Sequence, residues 1–551
     1  MSDRSRSPDD WESYVATLKP HERPTLAGSP ATPDHPLRVR LAYAAVGTLV
    51  TLTGGLGAAV ILANQQSLAG SYGVTQAEAA WAPVLFVMTN ATANLLLVRF
   101  RQQFGLRLFS EIILVAFVAV TLGHLLAPDF ETLLVARAIA GICATGLSTL
   151  GILYMMQVFP PAHRIKGLIL AVGLAGISAP AARLYSPGLI EFHGWQGVHW
   201  LELGLALLSL AAVFALRLPL SERFKVFQPL DFLTVALFAP GIGLLCAVLG
   251  LGRVLWWTEA AWIGWALVGA IVLLSASFLI EHGRKRPLID LRWVTTGDIA
   301  RMVFAILVVR IVLSEQVTGA VGFLQTMGVG PDQLYGLFAI VLVASAAGTL
   351  ASALTVNLQR LYLPIAIALA MVAVGAAIDS QASVLTRPEN LYLSQALLAF
   401  AAALFIGPTL LLGFGPLIAR GARHMVSFIV AFSTMQNLAS LAGSALVGSV
   451  ETIRAREHAT HLAESIGAGD PMVVQRLQQL GGAYAHTIGD PALRQASGFA
   501  LLQQQVAQQA AALAYNDIFQ MIAVIAAIGA VWMAFEHLRR RPAPAAAKPT
   551  D

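Results

Sequence analysis

Apolar residues run in blocks long enough to cross a bilayer core of ~30 Å, which takes about 20 residues of helix. They recur from residue 41 to residue 538 with short polar breaks between them. The runs lie near 41–63, 79–98, 108–127, 133–158, 167–190, 198–216, 230–251, 260–280, 301–326, 333–356, 361–379, 391–419, 424–450 and 516–538. The pattern predicts fourteen membrane-crossing helices and an all-α integral membrane protein. Composition agrees: 57% of the 551 residues are hydrophobic and 12% are charged, more apolar surface than a soluble chain could hide.

Charge sets the orientation. One alternating set of loops carries Arg99, Arg101 and Arg107, then Arg164 and Lys166, then Arg217, Arg223 and Lys225, then Arg284 to Arg286 and Arg292. It continues through Arg360, Arg420 and Arg423 to Arg539, Arg540 and Arg541, whereas the opposite short loops hold only Arg253 and Arg387. Basic loops stay cytoplasmic, so both termini are expected there, as an even number of spans requires. Residues 1–40 are polar and Pro-rich without the apolar core of a signal peptide. They are expected to be a mostly disordered cytoplasmic tail, with "DDWESYVATL" forming a turn or two of amphipathic helix. Residues 539–551 form a second cytoplasmic tail. One outer segment, about 452–515, is long; its part "RQASGFALLQQQVAQQAAALAYNDIF" lacks Pro and predicts a helix running into the last span.

The chemistry that is missing narrows the class. The chain has no phosphate-binding G-x-x-x-x-G-K-[ST] loop, no G-x-S-x-G elbow and no HExxH pair. Its two cysteines, Cys143 and Cys246, fall in separate spans, so neither a disulfide framework nor a zinc site is expected. "HATH" (His458, His461) reads as solvated helix surface. Many spans without a nucleotide site or catalytic motif predict gradient-driven transport, no enzyme activity, no cofactor and no nucleic-acid partner.

Charge inside the spans is therefore the informative feature. An arginine at a helix centre costs roughly 2.5–3.5 kcal/mol on insertion scales, so it faces a cavity or a partner. The deep residues are Arg137 in the fourth span, Arg183 in the fifth, Glu202 in the sixth, and Arg310 and Glu315 in the ninth. Glu111, Asp231 and Asp379 lie near span ends and read as reaching the membrane surface. At 1.5 Å rise per residue, Arg183 sits about 10 Å and Glu202 about 6 Å below the outer boundary. With Arg137 they are expected to converge in one outer-half cavity, Arg183 and Glu202 forming either an ion pair that holds packing or part of a site. Arg310 and Glu315 point to different sides of their helix and need separate partners. The amides Asn90, Asn94, Gln436 and Asn437 read as interhelical hydrogen-bonding groups.

Several stretches resemble the major facilitator superfamily, in its fourteen-span drug:proton antiporter branch and the EmrB type within it. "LLVARAIAGICATG" is similar to the helix-4 motif R-x-x-x-G through Arg137 and Gly141. "GLAGISAPAARL" occupies the place of the helix-5 antiporter motif, with Gly176 and Pro180, but Arg183 and Leu184 replace its Gly-Gly pair. "FLQTMGVGPDQLYGL" resembles the end of helix 9 through Gln325, Gly328 and Gly336, and "RAREHATHLAESI" and "QASGFALLQQQVAQQAAALAYNDIF" resemble the periplasmic segment of EmrB-type pumps. Between the second and third spans "NLLLVRFRQQFGLR" keeps Arg99, Gly105 and Arg107 of a basic-loop motif and lacks its acid. The acid usual in the first span is also absent; its place falls near Gly57.

The resemblance implies two six-helix bundles, residues 41–220 and 300–538, with two inserted helices at 229–282. It implies alternating access around a midplane site, a bacterial inner membrane, a HlyD-type periplasmic adaptor and an outer-membrane channel. With the first-span acid missing, Glu202 or Glu315 is expected to carry the proton. Three buried arginines against two buried acids favour an anionic or neutral amphiphilic cargo, such as aromatic or fatty acids. An exporter dedicated to one metabolite such as a siderophore, an importer, and a non-transporting scaffold or sensor are the alternatives.

Overall fold

A computed structural model describes residues 8–24, 28–357, 360–420, 424–467 and 470–539. Among these residues the chain is helical, with one isolated bridge between Pro30 and Ser221. Twelve helices among the described residues are long and apolar enough to cross a membrane. Two departures from simple spans stand out. The helix Arg164–Ala215 is 52 residues long and turns at Gly194, whose φ of 60° and ψ of −163° a side chain would make costly. The stretch Gly297–Thr326 is helical throughout but passes through a π-helical segment, Glu315–Ala320. Such wide turns interrupt a regular helix and commonly mark functional positions.

Two separate cores form. One joins Tyr43, Val50, Phe109, Phe117, Leu147, Tyr154 and Val213. The other joins Leu168 to residues between Trp293 and Met533, including Phe323, Phe405 and Phe519. A third cluster packs the helix Pro229–Leu251 against the helices Trp81–Phe104 and Met425–Ser465, so it bridges the two halves. Amides join them too: Asn437 Nδ2 donates to Asn90 Oδ1 at 3.2 Å, and Thr434 donates to the Ala91 carbonyl at 2.9 Å. Asn90 also donates to Thr145 at 2.9 Å, and Gln436 accepts from Arg310, so these amides act as the expected hydrogen-bonding links.

The N-terminal stretch is more ordered than expected. Helix Pro8–Thr17 forms, and residues 28–36 dock on the end of the first half. Ala31 is fully buried; its amide donates to the Leu220 carbonyl at 3.2 Å and its carbonyl accepts from Gln157 at 3.1 Å. Arg164 donates to the carbonyls of His21 and Thr32. The Glu22 carboxylate accepts from the amides of Asp34 and Lys19, at 2.9 and 2.8 Å, and these bonds hold its pKa below the usual 4.5. Local amide donors thus replace the disorder that polarity and prolines predicted.

The 452–515 segment, expected to be a long outer loop, is largely helical in its described residues. Helix Met425–Ser465 runs straight on beyond its apolar part, Pro471–Gly482 folds back, and Pro491–Arg539 returns as one 49-residue helix, as the Pro-free pattern predicted. His458 and Arg454 clamp the pair by binding Asp517 at 2.8 and 2.6 Å. Expectations resting on residues 1–7, Arg423 and residues 540–551 lie outside the described residues.

Candidate functional site

Three constellations carry the intramembrane charge. In the first half, Glu202 Oε2 lies 3.3 Å from Nδ1 of His124 and 3.4 Å from Nδ1 of His199. All three side chains are buried. They come from the end of helix Leu106–Leu126 and from the leg of the 52-residue helix after Gly194. Arg137 is within electrostatic reach of this carboxylate and stacks on Phe86, 4.8 Å from its ring centroid. A desolvated cation–π contact contributes ~2 kcal/mol, which offsets much of the cost of burying the guanidinium.

The other side of Glu202 faces Gly57. A Cβ built on Gly57 would lie 2.6 Å from Glu202 Oε1. Glu202 thus reaches over from another helix to the face of Gly57, where the absent side chain leaves its carboxylate room. Arg99 pairs with Asp231 of helix Pro229–Leu251, which also binds Arg284 at 2.7 Å. Asp231 is fully buried in that network instead of reaching the membrane surface. Gly105 stands at φ 86° against the Arg223 guanidinium, and Arg107 binds Glu111 at 3.0 Å. Gly141 allows close approach of the Phe86 carbonyl and Thr89.

The expected convergence of Arg137, Arg183 and Glu202 does not occur. Glu202 is taken by the two histidines, and Arg183 points to the second half, 5.0 Å over the ring of Phe338. Among the described residues, no carboxylate reaches ion-pair distance of Arg183. Depth counting placed both residues near the same membrane level but said nothing of azimuth. Arg183 instead lines a small cleft with Ala179, Pro180, Gln316, Val317 and Phe338. It also lines a cavity of about 590 Å³ with Gln65, Arg253, Gln325 and Glu451. At the other end of the same contact the halves press together: a Cβ on Gly173 would lie 2.3 Å from Thr349 Cγ2. Gly176 has open space beside it. The halves thus meet at Gly173 and part around Arg183.

In the second half, Glu315 opens the π-helical segment and is fully buried. Its carboxyl and that of Asp379 lie within hydrogen-bonding range of each other. Gln395 Nε2 donates to both, at 3.1 Å to Glu315 Oε1 and 2.8 Å to Asp379 Oδ2. Asp379 is 1% exposed, so its reading as a surface-reaching acid is overturned: the end of its helix is covered by the start of helix Tyr392–Arg420. Arg310 finds its partner in Gln436, away from Glu315 as expected.

His124, His199 and Gln395 are the members that sequence reading passed over. The histidines sit in "TLGHLLAPD" and "GVHWLEL", and a histidine within an apolar run was the available signal. His124, His199 and Glu202 have the donor types of a zinc site, with ligand atoms within 4.8 Å of one another. The guanidinium of Arg137 weighs against a divalent ion there, because it would leave a large uncompensated positive charge in a dry interior.

Residues 46–444 match the profile of the Major Facilitator Superfamily. The chain is similar to the fatty acid resistance protein FarB of Neisseria gonorrhoeae, 28% identical over 242 residues. That match covers 42% of this chain and about half (47%) of FarB. It is also similar to the uncharacterized MFS-type transporter YhcA of Bacillus subtilis (strain 168), 24% identical over 449 residues, or 78% of this chain and 81% of YhcA. In fold it resembles the human organic anion transporter MFSD10 (TETRAN), with a TM-score of 0.53 at 14% identity over 90% of this chain and all of that one. With the profile spanning most of the membrane-crossing region, the chain belongs to the major facilitator superfamily, and it is a multi-pass membrane transporter, not an enzyme.

Proposed function

We propose that this protein is a proton-coupled exporter of amphiphilic anions or neutral amphiphiles, such as aromatic or fatty acids. The observation that carries the reading is Arg183: a guanidinium between the two halves, facing a cavity, with an aromatic ring and no carboxylate as its partner. Arginine binds carboxylates in a forked geometry, and a permanent charge in a cavity of low dielectric selects for anions. The name of the FarB relative points the same way.

In this reading the 52-residue helix counts as two spans and the π-interrupted 297–326 stretch as one more, which brings the twelve apolar helices to fourteen. Two six-helix bundles with an inserted pair rock about the Gly173 contact, and Glu202 or Glu315 carries the proton. The protein sits in a bacterial inner membrane with both termini cytoplasmic. The helical outer extension, which exposes Met472, Leu493 and Phe499, docks the HlyD-type adaptor that leads to an outer-membrane channel.

Flux of a labelled fatty acid in proteoliposomes with an imposed pH gradient tests the reading. Arg183→Ala should lower anion flux about tenfold, a loss of ~1.4 kcal/mol, and leave a neutral cargo nearly unchanged. Equal anion flux in the variant and the parent overturns the anion assignment. Absence of gradient-driven flux of any amphiphile overturns the exporter.

A further inference from the structure

We infer that Glu315, Asp379 and Gln395 form a built site for one proton, held between two carboxyls in the second half of the molecule. The inference deepens the proton-coupled reading above by adding Asp379 as the second acid and by placing the site.

The geometry leads there step by step. Two buried carboxyls lie against each other, and one amide nitrogen serves both. Asp379 Oδ1 is buried and has no hydrogen-bond partner. A carboxylate only accepts, so two carboxylates cannot bond to each other. A single proton between them supplies the missing donor and leaves one negative charge, which Gln395 Nε2 meets. Like charges at contact in a dry site cannot both persist, which is the arrangement by which paired acids share a proton.

No positive charge answers the pair. The helix Tyr392–Arg420 presents Ser394 and Gln395, and Gln316 of the π segment donates to the Gln395 carbonyl at 3.1 Å. Helix Met425–Ser465 presents Ser444, bound to Thr318 at 3.0 Å. Helix Pro491–Arg539 presents Phe519 and Tyr515 against Gly319 and Gly322. Among the described residues, no Lys, Arg or His lies at ion-pair distance from either acid.

Access comes from one side. Asp379 is the last residue of its helix, and the turn that follows is held by Asn516, which donates to the Ala382 carbonyl at 2.8 Å. That is the membrane face bearing the helical extension. Asp379 lies nearer that face than Glu315, so a proton entering from it meets Asp379 first and Glu315 next. Glu315 begins the wide π turn beside Gln316 and Val317, which line the Arg183 cleft. Loading and unloading the pair therefore acts on the segment that borders the cargo cleft.

The test is infrared spectroscopy of the full chain in lipid nanodiscs, reading the C=O stretch of protonated carboxyls and its shift in D2O. The parent should show a buried protonated carboxyl at neutral pH. The band should vanish in Glu315→Gln and in Asp379→Asn, because each leaves a lone carboxylate with an added amide donor. It should persist in Glu202→Gln. A parent without the band overturns the inference, as does a band that survives both substitutions. Failure is separable from failure of the export reading: if the band is absent while Arg183→Ala still lowers anion flux, export stands without this site. If the band behaves as expected and no flux is found, the site stands without export.

Discussion

The two halves bury acids in opposite company. Glu202 is a single negative charge framed by one guanidinium and two imidazoles. Glu315 meets another acid and one neutral amide. Both sites lie within apolar helices, so burial alone does not separate them. The neighbours do: the first site balances a charge already there, whereas the second is balanced only by adding a proton. A transporter that moves protons needs groups of unlike character, and environment rather than residue type makes two glutamates unlike.

The comparison predicts opposite responses to the same substitution. Glu202→Gln removes the charge that answers Arg137 and should destabilise by about 3 kcal/mol, the lower end for breaking a buried ion pair. Glu315→Gln puts an amide donor where the shared proton stood and should cost less than about 1 kcal/mol. Thermal unfolding of both variants in the same detergent checks this, and equal losses would erase the distinction between the sites.

A smaller change sharpens it. Gly57→Ala places a methyl where Glu202 Oε1 lies, 2.6 Å from the built Cβ. A flexible carboxylate can swing away, so stability should fall by less than about 1 kcal/mol. Proton-driven flux should nevertheless fall about tenfold, or ~1.4 kcal/mol, if the position of the carboxylate is what matters. Parent-like flux with a displaced carboxylate would make Glu202 a packing residue.

The smallest effect belongs to a third acid, outside the apolar helices. Glu22 is held below its usual pKa of 4.5 chiefly by the amides of Asp34 and Lys19. A lowered folded-state pKa means that its contribution is complete above the ordinary value and is lost as pH falls through the lowered one. Docking of residues 28–36 should therefore persist at neutral pH and loosen in acid, as pH falls through the lowered value. Limited proteolysis across that range reads it, and cleavage independent of pH would remove Glu22 as the anchor.

The apolar helices and the helix running into the last of them were legible because they rest on local rules: apolar length and absence of proline. So were the deep residues themselves, since a charge in an apolar run stands out. Their partners were not. Depth follows from counting residues, but azimuth and tilt come from packing, and these separated Arg183 from Glu202. The short-range cues at Glu22 and the docked tail were hidden by composition that reads as disorder.

The sequence by itself determined a helical membrane transporter with a few charges set deep in its apolar runs. Only the tertiary structure decided what those charges meet: Glu202 lies against Gly57, and Asp231 binds Arg99. It also decided that Asp379 is a buried partner of Glu315. The physical reason is that a carboxylate acts where its oxygens lie. Which helix supplies it is invisible to a motif, and becomes fixed only when the helices pack.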